Sequence, residues 1–268
     1  PLGHTTSVTV HPTRGLPLTS TDPNGVVTTT QYDPLGRVTG VWQHSRPVSA
    51  GANHLFSYQL SSTGVTAVTT QTMNDVGGYR SATIIYDAMM RPRQTQVGTP
   101  QGGRMITDTF YDSHGWTVAT NNGWWDPATW ANTTLVRPTD ITNAELPNQH
   151  AYTRDGLGRI VVDASEQNNT VISTTTTVYA GDRITVIPPD GGTTKTTVTD
   201  PLARISDLDE YTAPPILTTP ANPFTGPWQV TGGTRSTTRY GYDARGHRAT
   251  VTDAQNTAWT STYDLLGR

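Results

Sequence analysis

Hydrophobic and polar residues alternate along the chain in short runs that are separated by turn-forming residues. The run "VVTTTQY" (26–32) places every second residue on one face of an extended strand, namely Val26, Thr28, Thr30 and Tyr32. The run 257–263 repeats this alternation and also ends in tyrosine. Clusters of Gly, Pro, Asn and Asp interrupt such runs about every ten or eleven residues. This pattern predicts successive antiparallel β-hairpins.

The turns themselves repeat. Six segments share an aromatic residue or Thr, then Asp, two variable residues, a small residue and usually Arg, and a seventh has Arg before the Asp. Their aspartates stand at positions 33, 87, 112, 155, 200, 243 and 264, mostly one or two multiples of 21–25 residues apart. A second turn precedes several of them by about eleven residues, as in "TDPNG" (21–25) and "TDAQN" (252–256). The sequence therefore predicts one hairpin unit copied along the chain.

The residue types fit a type I turn, which favours Asp first, Pro second and Gly fourth. Gly supplies the left-handed residue that closes the hairpin with a bulge, while Tyr can pack on a neighbouring hairpin and Arg can reach back to the Asp. Met90 and Ala203 replace this Gly, at a strain of about 1 kcal/mol if the turn is kept, so these two turns are expected to differ. The predicted motif comprises Tyr32, Asp33, Gly36, Arg37, Tyr86, Asp87, Arg91, Tyr111, Asp112, Gly115, Asp155, Gly158, Arg159, Asp200, Arg204, Tyr242, Asp243, Gly246, Tyr263, Asp264, Gly267 and Arg268.

Three intervals do not fit the unit length and are predicted to be insertions: 41–82, 121–150 and 209–238. The last two are rich in Pro and Trp. We expect them to form loops at one set of strand ends.

Composition supports an all-β chain and narrows the classes of partner. The chain has 52 threonines but only three Glu and one Lys, so good helix formers are scarce, and threonine suits a pleated surface. A net charge of −3 argues against nucleic acid or an anionic membrane as partner. No apolar run approaches the length of a membrane-spanning helix. The absence of cysteine excludes disulfides and thiolate metal sites.

The sequence gives only weak evidence for catalytic or metal-binding residues. The seven histidines show no metal-ligand spacing, and His4 and His247 stand where other copies of the motif have Arg. Asp207, Asp209 and Glu210 could offer oxygen ligands to calcium, but a solvated turn is favoured because three acids are too few and the loop glycine is absent. The recurring aspartates occupy turn positions, whereas a catalytic pair would occur once. The sequence predicts no catalytic residue, no metal and no cofactor.

Tryptophans mark the best candidate binding patch. Trp124, Trp125 and Trp130 lie in the insertion 121–150 as "GWWDPATW". If these tryptophans are exposed, their rings can stack on sugar rings and form a glycan contact. If they are buried, they hold the insertion against the sheet. The buried alternative is favoured because Trp usually contributes buried area.

The exact copies "YDPLGR" (32–37) and "YDLLGR" (263–268), with the segment 179–204, resemble the YD-repeat or Rhs-repeat family. The resemblance implies a long β-sheet coiled into a hollow shell, as in bacterial Rhs-type polymorphic toxins, toxin complexes and teneurins. It implies a non-enzymatic structural segment of a secreted or cell-surface bacterial protein. The implied partners are the remainder of the repeat array and an enclosed C-terminal toxin, and the alternative function is binding of carbohydrate or a cell surface. Because residues 1–4 ("PLGH") look like the end of the same motif, residues 1–268 are expected to be part of one shell domain that is truncated at both ends.

Overall fold

A computed structural model describes residues 4–127, 130–224 and 228–268. The opening residues 1–3, which the sequence compares with the end of a repeat, lie outside the described part, as do 128–129 and 225–227 within the predicted insertions. The described residues form β-strands and two short 3-10 helices, at Val48–Ala50 and Pro138–Asp140, and contain no α-helix. The prediction of an all-β array of antiparallel hairpins is confirmed.

The chain divides into two compact units. The first comprises Pro1–Phe110 and Thr120–Pro147, and the second comprises Tyr111–Ala119 and Asn148–Arg268. The first unit contains the strands β1 Ser7–Val10, β2 Pro17–Thr21, β3 Val27–Tyr32, β4 Val38–Trp42, β5 His54–Gln59, β6 Thr66–Met73, β7 Tyr79–Tyr86, β8 Pro92–Gly98 and β9 Arg104–Tyr111, which extends one residue beyond it. Strand β10, Thr117–Asp126, has residues in both units. Each strand from β1 to β8 pairs antiparallel with the next.

The second unit follows the same plan. Its strands are β11 Gln149–Arg154, β12 Ile160–Gln167, β13 Thr170–Ala180, β14 Arg183–Ile187, β15 Lys195–Thr199, β16 Ile205–Ala213, β17 Ile216–Thr218, β18 Gln229–Thr231, β19 Thr234–Tyr242, β20 Arg248–Thr252 and β21 Ala258–Thr260. Strands β11 to β16 pair in sequence, and β16 then pairs with β19. Strands β19, β20 and β21 continue the series. Strands β17 and β18 form a separate hairpin.

Polar side chains contribute to the interior of the first unit, where Thr83, Gln94 and Gln96 are buried. Thr69 faces Thr83, which faces Gln96, which faces Ile106, so one row crosses four strands on one face. The Thr69 and Thr83 hydroxyls lie 2.9 Å apart and hydrogen-bond to each other. Cross-strand hydroxyl pairs of this kind stabilise a sheet by a few tenths of a kcal/mol to about 1 kcal/mol each. At these positions threonine therefore contributes to packing between strands.

The structure corrects the extent of the predicted insertions. Residues 41–82 are not a separate insertion, because β5, β6 and β7 pair regularly within the sheet. In 121–150, β10 continues to Asp126 and β11 begins at Gln149, with the irregular segment between them. In 209–238, β16 and β19 pair directly, with Glu210 opposite Ser236, and only 214–233 leave the sheet.

A small apolar core lies under the first irregular segment. Val136 and Leu146 from this segment pack with Ile106 of β9 and Trp124 of β10, and all four side chains are buried. The segment is therefore folded onto one face of strands β8 to β10.

Candidate functional site

Seven five-residue turns, each running from Asp to the residue four positions later, are the recurring feature of the molecule, and we call them repeat turns. In the first, the Asp33 N–H donates to the Arg37 carbonyl at 2.9 Å, and the Gly36 N–H donates to the Asp33 carbonyl at 3.0 Å. Asp33 Oδ1 accepts the backbone N–H groups of Leu35 and Arg37, both at 2.9 Å. The same contacts recur in the repeat turns that begin at Asp87, Asp112, Asp155, Asp200, Asp243 and Asp264.

The strands shift register at the residue immediately before the Asp. Five strand pairs show this shift, at Tyr32, Tyr86, Arg154, Thr199 and Tyr242. In each pair the strand after the turn has one extra residue, six positions after the Asp, namely Thr39, Arg93, Val161, Ser206 and Ala249. This bulge therefore lies in the strand, three residues beyond the left-handed residue of the turn.

An ion pair joins the two ends of most repeat turns. In the first turn the Arg37 guanidinium contacts Asp33 Oδ2 through Nε at 2.7 Å and through Nη2 at 2.6 Å. The turns beginning at Asp87, Asp155 and Asp200 repeat this two-point contact. In the turn at Asp243, His247 Nδ1 takes this place at 3.0 Å. Oδ1 accepts the backbone N–H groups of the turn and Oδ2 binds the cationic side chain, so a single carboxylate makes both sets of contacts.

The repeat-turn carboxyls have lowered pKa values. Partial burial raises the pKa of the Asp33 carboxyl, but backbone and side-chain hydrogen bonds from Arg37 outweigh it, so the pKa lies below its usual range. For Asp200 the side-chain hydrogen bond from Arg204 is the main cause of the lowered pKa. The other five repeat-turn aspartates also have a lowered pKa. These carboxylates are held ionised by structural hydrogen bonds, which explains the perturbation without a catalytic role.

Aromatic rings connect successive repeat turns. The Tyr242 hydroxyl donates to the Ile205 carbonyl at 2.8 Å, and the Arg204 guanidinium lies 4.4 Å from the centre of the Tyr242 ring. The Tyr58 ring holds the equivalent position over Arg37 at 4.4 Å, and its hydroxyl donates to the next carbonyl along the chain. The hydroxyls of Tyr32 and Tyr263 make the same type of bond, to the carbonyls of Pro17 and Arg248. The tyrosine hydroxyl of one hairpin thus donates to a backbone carbonyl just after the turn of an earlier hairpin.

One expectation about the motif needs correction. Met90 and Ala203 keep the hydrogen bonds of the repeat turn, with φ values of 60° and 59°, so these turns do not differ in shape. The arginine before Asp155 does not break the pattern either. Arg154 Nε donates to the Thr117 carbonyl at 2.9 Å and so replaces the tyrosine hydroxyl.

Sequence reasoning missed several members of the site. Asn74 caps a turn of the same kind, accepting the N–H groups of Val76 and Gly78, because an amide oxygen can replace the carboxylate. Tyr58 and Tyr179 provide rings for Arg37 and Arg159 although no Asp follows either tyrosine. The signal for Asn74 was present as "NDVGG", whereas the two tyrosines carry no local signal.

The structure separates the three tryptophans of the predicted glycan patch. Trp124 is buried, and its indole N–H donates to Asp108 at 2.8 Å, so it cannot stack on an external sugar. Trp125 and Trp130 are 49% and 61% exposed. The predicted patch is therefore reduced to Trp125 and Trp130, and Trp124 belongs to the interior.

A buried polar network surrounds Trp124. Besides the indole, Asp108 accepts hydrogen bonds from Arg93, Gln94 and Asn121. Next to this cluster, Arg104 and Asp126 form an ion pair with both side chains buried and Nη2 2.7 Å from Oδ2. The Gln94 amide also donates to the carbonyl of Val136 at 2.7 Å. Buried charges of this kind require partners, and here each has one.

The acidic trio near position 208 does not form a metal site. Glu210 pairs with Lys195 at 2.8 Å, and Asp209 is buried beside Arg235 at 3.3 Å. Asp207 accepts a hydrogen bond from the hydroxyl of Ser206. In the part of the chain that the structure describes, no group of three His, Asp or Glu side chains is placed to hold a metal ion.

No helix in the described residues is long and apolar enough to cross a membrane.

Comparison with known proteins gives a consistent picture. A family model described as RHS Repeat matches residues 12–41, which include the first repeat turn. No curated protein sequence matches the chain. The crystal structure of TcdB2-TccC3-TEV is similar, with a TM-score of 0.64 and 13% identity over 99% of this chain and 19% of that chain. The crystal structure of TcdB2-TccC3-Cdc42 gives 0.65 and 13% over 93% and 17%.

The chain spans less than a fifth of the length of each of those two structures, and at this identity the likeness concerns the fold. The matched repeat lies where the turn, the bulge and the Asp33–Arg37 pair have been described. Residues 12–41 therefore match an RHS repeat, and the fold of the chain is similar to that of part of the TcdB2-TccC3 structures.

Proposed function

We propose that the chain is a non-catalytic structural segment of a secreted or surface-displayed bacterial Rhs-type protein, where it forms part of the wall of a β-shell. The observation that carries this proposal is the repeat turn itself. The same hydrogen bonds occur in all seven repeat turns and also in the turns at Asp22 and Asp253, and in four repeat turns the Asp and Arg also pair with each other through two nitrogens. A catalytic centre concentrates unusual groups at one place, whereas these groups are distributed evenly.

The proposed role of the shell is to enclose or display a C-terminal toxin, as the family resemblance implies. The second proposed partner is the remainder of the repeat array, against which this segment of the wall packs. Secretion or surface display belongs to the same proposal.

The test is protease protection in the natural protein that carries this chain. Asp155→Ala and Asp200→Ala together remove two turn caps, and we expect them to open the wall and expose the C-terminal polypeptide to protease. Trp130→Ala changes an exposed side chain and is the matched control, with protection retained. Equal protection in the wild type and the cap variant would contradict the proposal, as would a C-terminal polypeptide that is never protected.

A second candidate function is glycan or cell-surface binding. It is supported by Trp125, which lines a cavity of about 320 Å³ with Thr142, Asn143 and Glu145, an aromatic face beside hydrogen-bonding groups. A glycan array on the chain tests it. A saturable signal that is lost in Trp125→Ala but kept in Trp259→Ala, another exposed tryptophan, would favour this function, and no signal would reject it.

A further inference from the structure

Two successive turns of the first unit differ in a single residue. The β2–β3 turn reads Asp-Pro-Asn-Gly (22–25), and the β3–β4 turn, which is the first repeat turn, reads Asp-Pro-Leu-Gly (33–36). In both turns the N–H of the third residue donates to Oδ1 of the Asp at 2.9 Å. The third side chain, Asn24 or Leu35, is exposed in each. The turn therefore does not require the leucine, whose apolar side chain faces solvent.

Exposed apolar side chains continue along the same end of the strands. Because consecutive antiparallel strands place alternate loops at one end, the β3–β4, β5–β6 and β7–β8 loops lie together. These loops carry Leu35, Leu60 and Met89, which are 73%, 59% and 74% exposed. Neighbouring strands lie about 4.8 Å apart, so successive members stand about 10 Å apart. We call these three residues the apolar row.

The opposite end of the strands is more polar at the matching positions. The third residue of the β2–β3 turn is Asn24, and the third residue of the β8–β9 turn is Gln101. Val76 holds this position in the β6–β7 turn and is 90% exposed, but the next loop at that end has Gln101. Three successive loops with an exposed large apolar side chain thus distinguish one end of the unit.

The charges beside the apolar row compensate each other. Arg37 Nη2 lies 2.6 Å from Asp33 Oδ2, and Arg91 Nη2 lies 2.7 Å from Asp87 Oδ2. The β5–β6 loop, residues 60–65, contains no charged residue. The row therefore does not select a charged partner, and two copies of it can meet without like-charge repulsion.

We propose that the apolar row is a self-association surface and that its occupant is the same row of a second copy of this chain. Two identical rows have the same spacing, so in an antiparallel two-fold arrangement Leu60 faces its own counterpart and Leu35 faces Met89 of the other copy. The three loops comprise about sixteen residues, fewer than the roughly 20–30 per side of a stable interface, so association is weak. This contact does not depend on the proposed structural function.

Sedimentation equilibrium of the full chain tests the proposal. We expect a monomer–dimer equilibrium with a dissociation constant on the order of 100 μM. Leu35→Asn gives the first repeat turn the sequence of residues 22–25, and together with Leu60→Gln it should weaken dimerisation about tenfold or more. Val76→Asn, at the opposite end of the strands, is the matched control and should leave the dissociation constant unchanged. Circular dichroism checks that each variant is folded.

A single introduced cysteine locates the contact, because the chain contains none. Under oxidation with copper–phenanthroline, Leu60→Cys should form a disulfide-linked dimer several-fold faster than Val76→Cys. Val76 is the more exposed of the two residues, so random collision alone would give the opposite order.

Three results would overturn the proposal. The first is a chain that stays monomeric at about ten times the expected dissociation constant. The second is dimerisation that survives Leu35→Asn with Leu60→Gln, as pairing of strand edges would. The third is crosslinking of Leu60→Cys that is no faster than that of Val76→Cys. Flotation with phosphatidylcholine vesicles examines a lipid surface as the occupant, and binding that is lost in the double variant while the wild type remains monomeric would also reject self-association.

Discussion

Ala203→Gly should stabilise the protein, although it removes a side-chain atom. Ala203 occupies the fourth position of a repeat turn with φ of 59°, where the equivalent residue of the first turn is Gly36 with φ of 82°. A non-glycine residue in this left-handed region carries a strain of about 1–2 kcal/mol. Ala203 is exposed, so no packing is lost with its methyl group.

The gain is smaller than the strain because glycine has more freedom in the unfolded chain. That freedom costs about 0.4–1 kcal/mol relative to alanine. The free energy of unfolding should therefore rise by about 0.5–1 kcal/mol. For a chain of this size the midpoint of thermal unfolding should rise by about 1–4 °C, measured by circular dichroism.

Two matched variants isolate the backbone effect. Gly25→Ala introduces a side chain where φ is 81° and no atom lies within 4 Å of the new Cβ, so the midpoint should fall by a similar amount without a steric clash. Leu202→Gly adds the same unfolded-state freedom at an exposed neighbour that does not have positive φ, and it should also lower the midpoint. If Ala203→Gly is no more stable than the wild type while Leu202→Gly behaves as expected, the strain argument is refuted.

Three further predictions concern the contacts of the turns and the interior. Tyr242→Phe should lower the free energy of unfolding by about 0.5–1.5 kcal/mol because a backbone carbonyl loses its donor, whereas Tyr240→Phe should change it little; equal effects in urea unfolding would contradict the role of the hydroxyl. Arg104→Met should cost about 3–5 kcal/mol because it leaves the buried Asp126 carboxylate without its guanidinium, and a loss under 1 kcal/mol would count against the buried pair. The repeat-turn carboxyls have lower pKa values in the folded chain than the unfolded value of about 3.9, so their stabilisation is complete well above pH 4 and is lost as the pH falls below it. A urea midpoint that stays constant from pH 6 to about pH 3 would contradict this.

The repeat turns could be predicted because their determinants are local. Asp33, Gly36 and Arg37 lie within five residues, and the cap, the closing backbone hydrogen bonds and the ion pair follow from their side chains and from the one left-handed residue. The turns at Met90 and Ala203 show the limit of this reasoning, because neighbouring strands hold the turn shape even where glycine is absent.

The first irregular segment could not be predicted in the same way. Gln94 contacts Val136, and Gln96 contacts Thr134, across 42 and 38 positions of sequence. Nothing in the alternation of β8 indicates that its glutamine amides will pair with the backbone of a later segment. The burial of Trp124 depends on the same long-range packing, so the sequence allowed both an exposed and a buried position for it.

The repeat turns all lie at one end of the strands, and the two ends should therefore differ in how well they tolerate inserted residues. At one end, a carboxylate, a guanidinium and a ring fix the chain at a regular interval. At the other end, in the second unit, the segment 214–233 lies between β16 and β19, which still pair with each other and show one register shift, between Tyr211 and Ala213. The turn at Asp253–Thr257, on that same side, has the cap and the closing hydrogen bonds of a repeat turn but no ion pair among the described residues. An inserted peptide should therefore destabilise the protein less there than inside a repeat turn, where the ion pair and the ring contact would be lost as well.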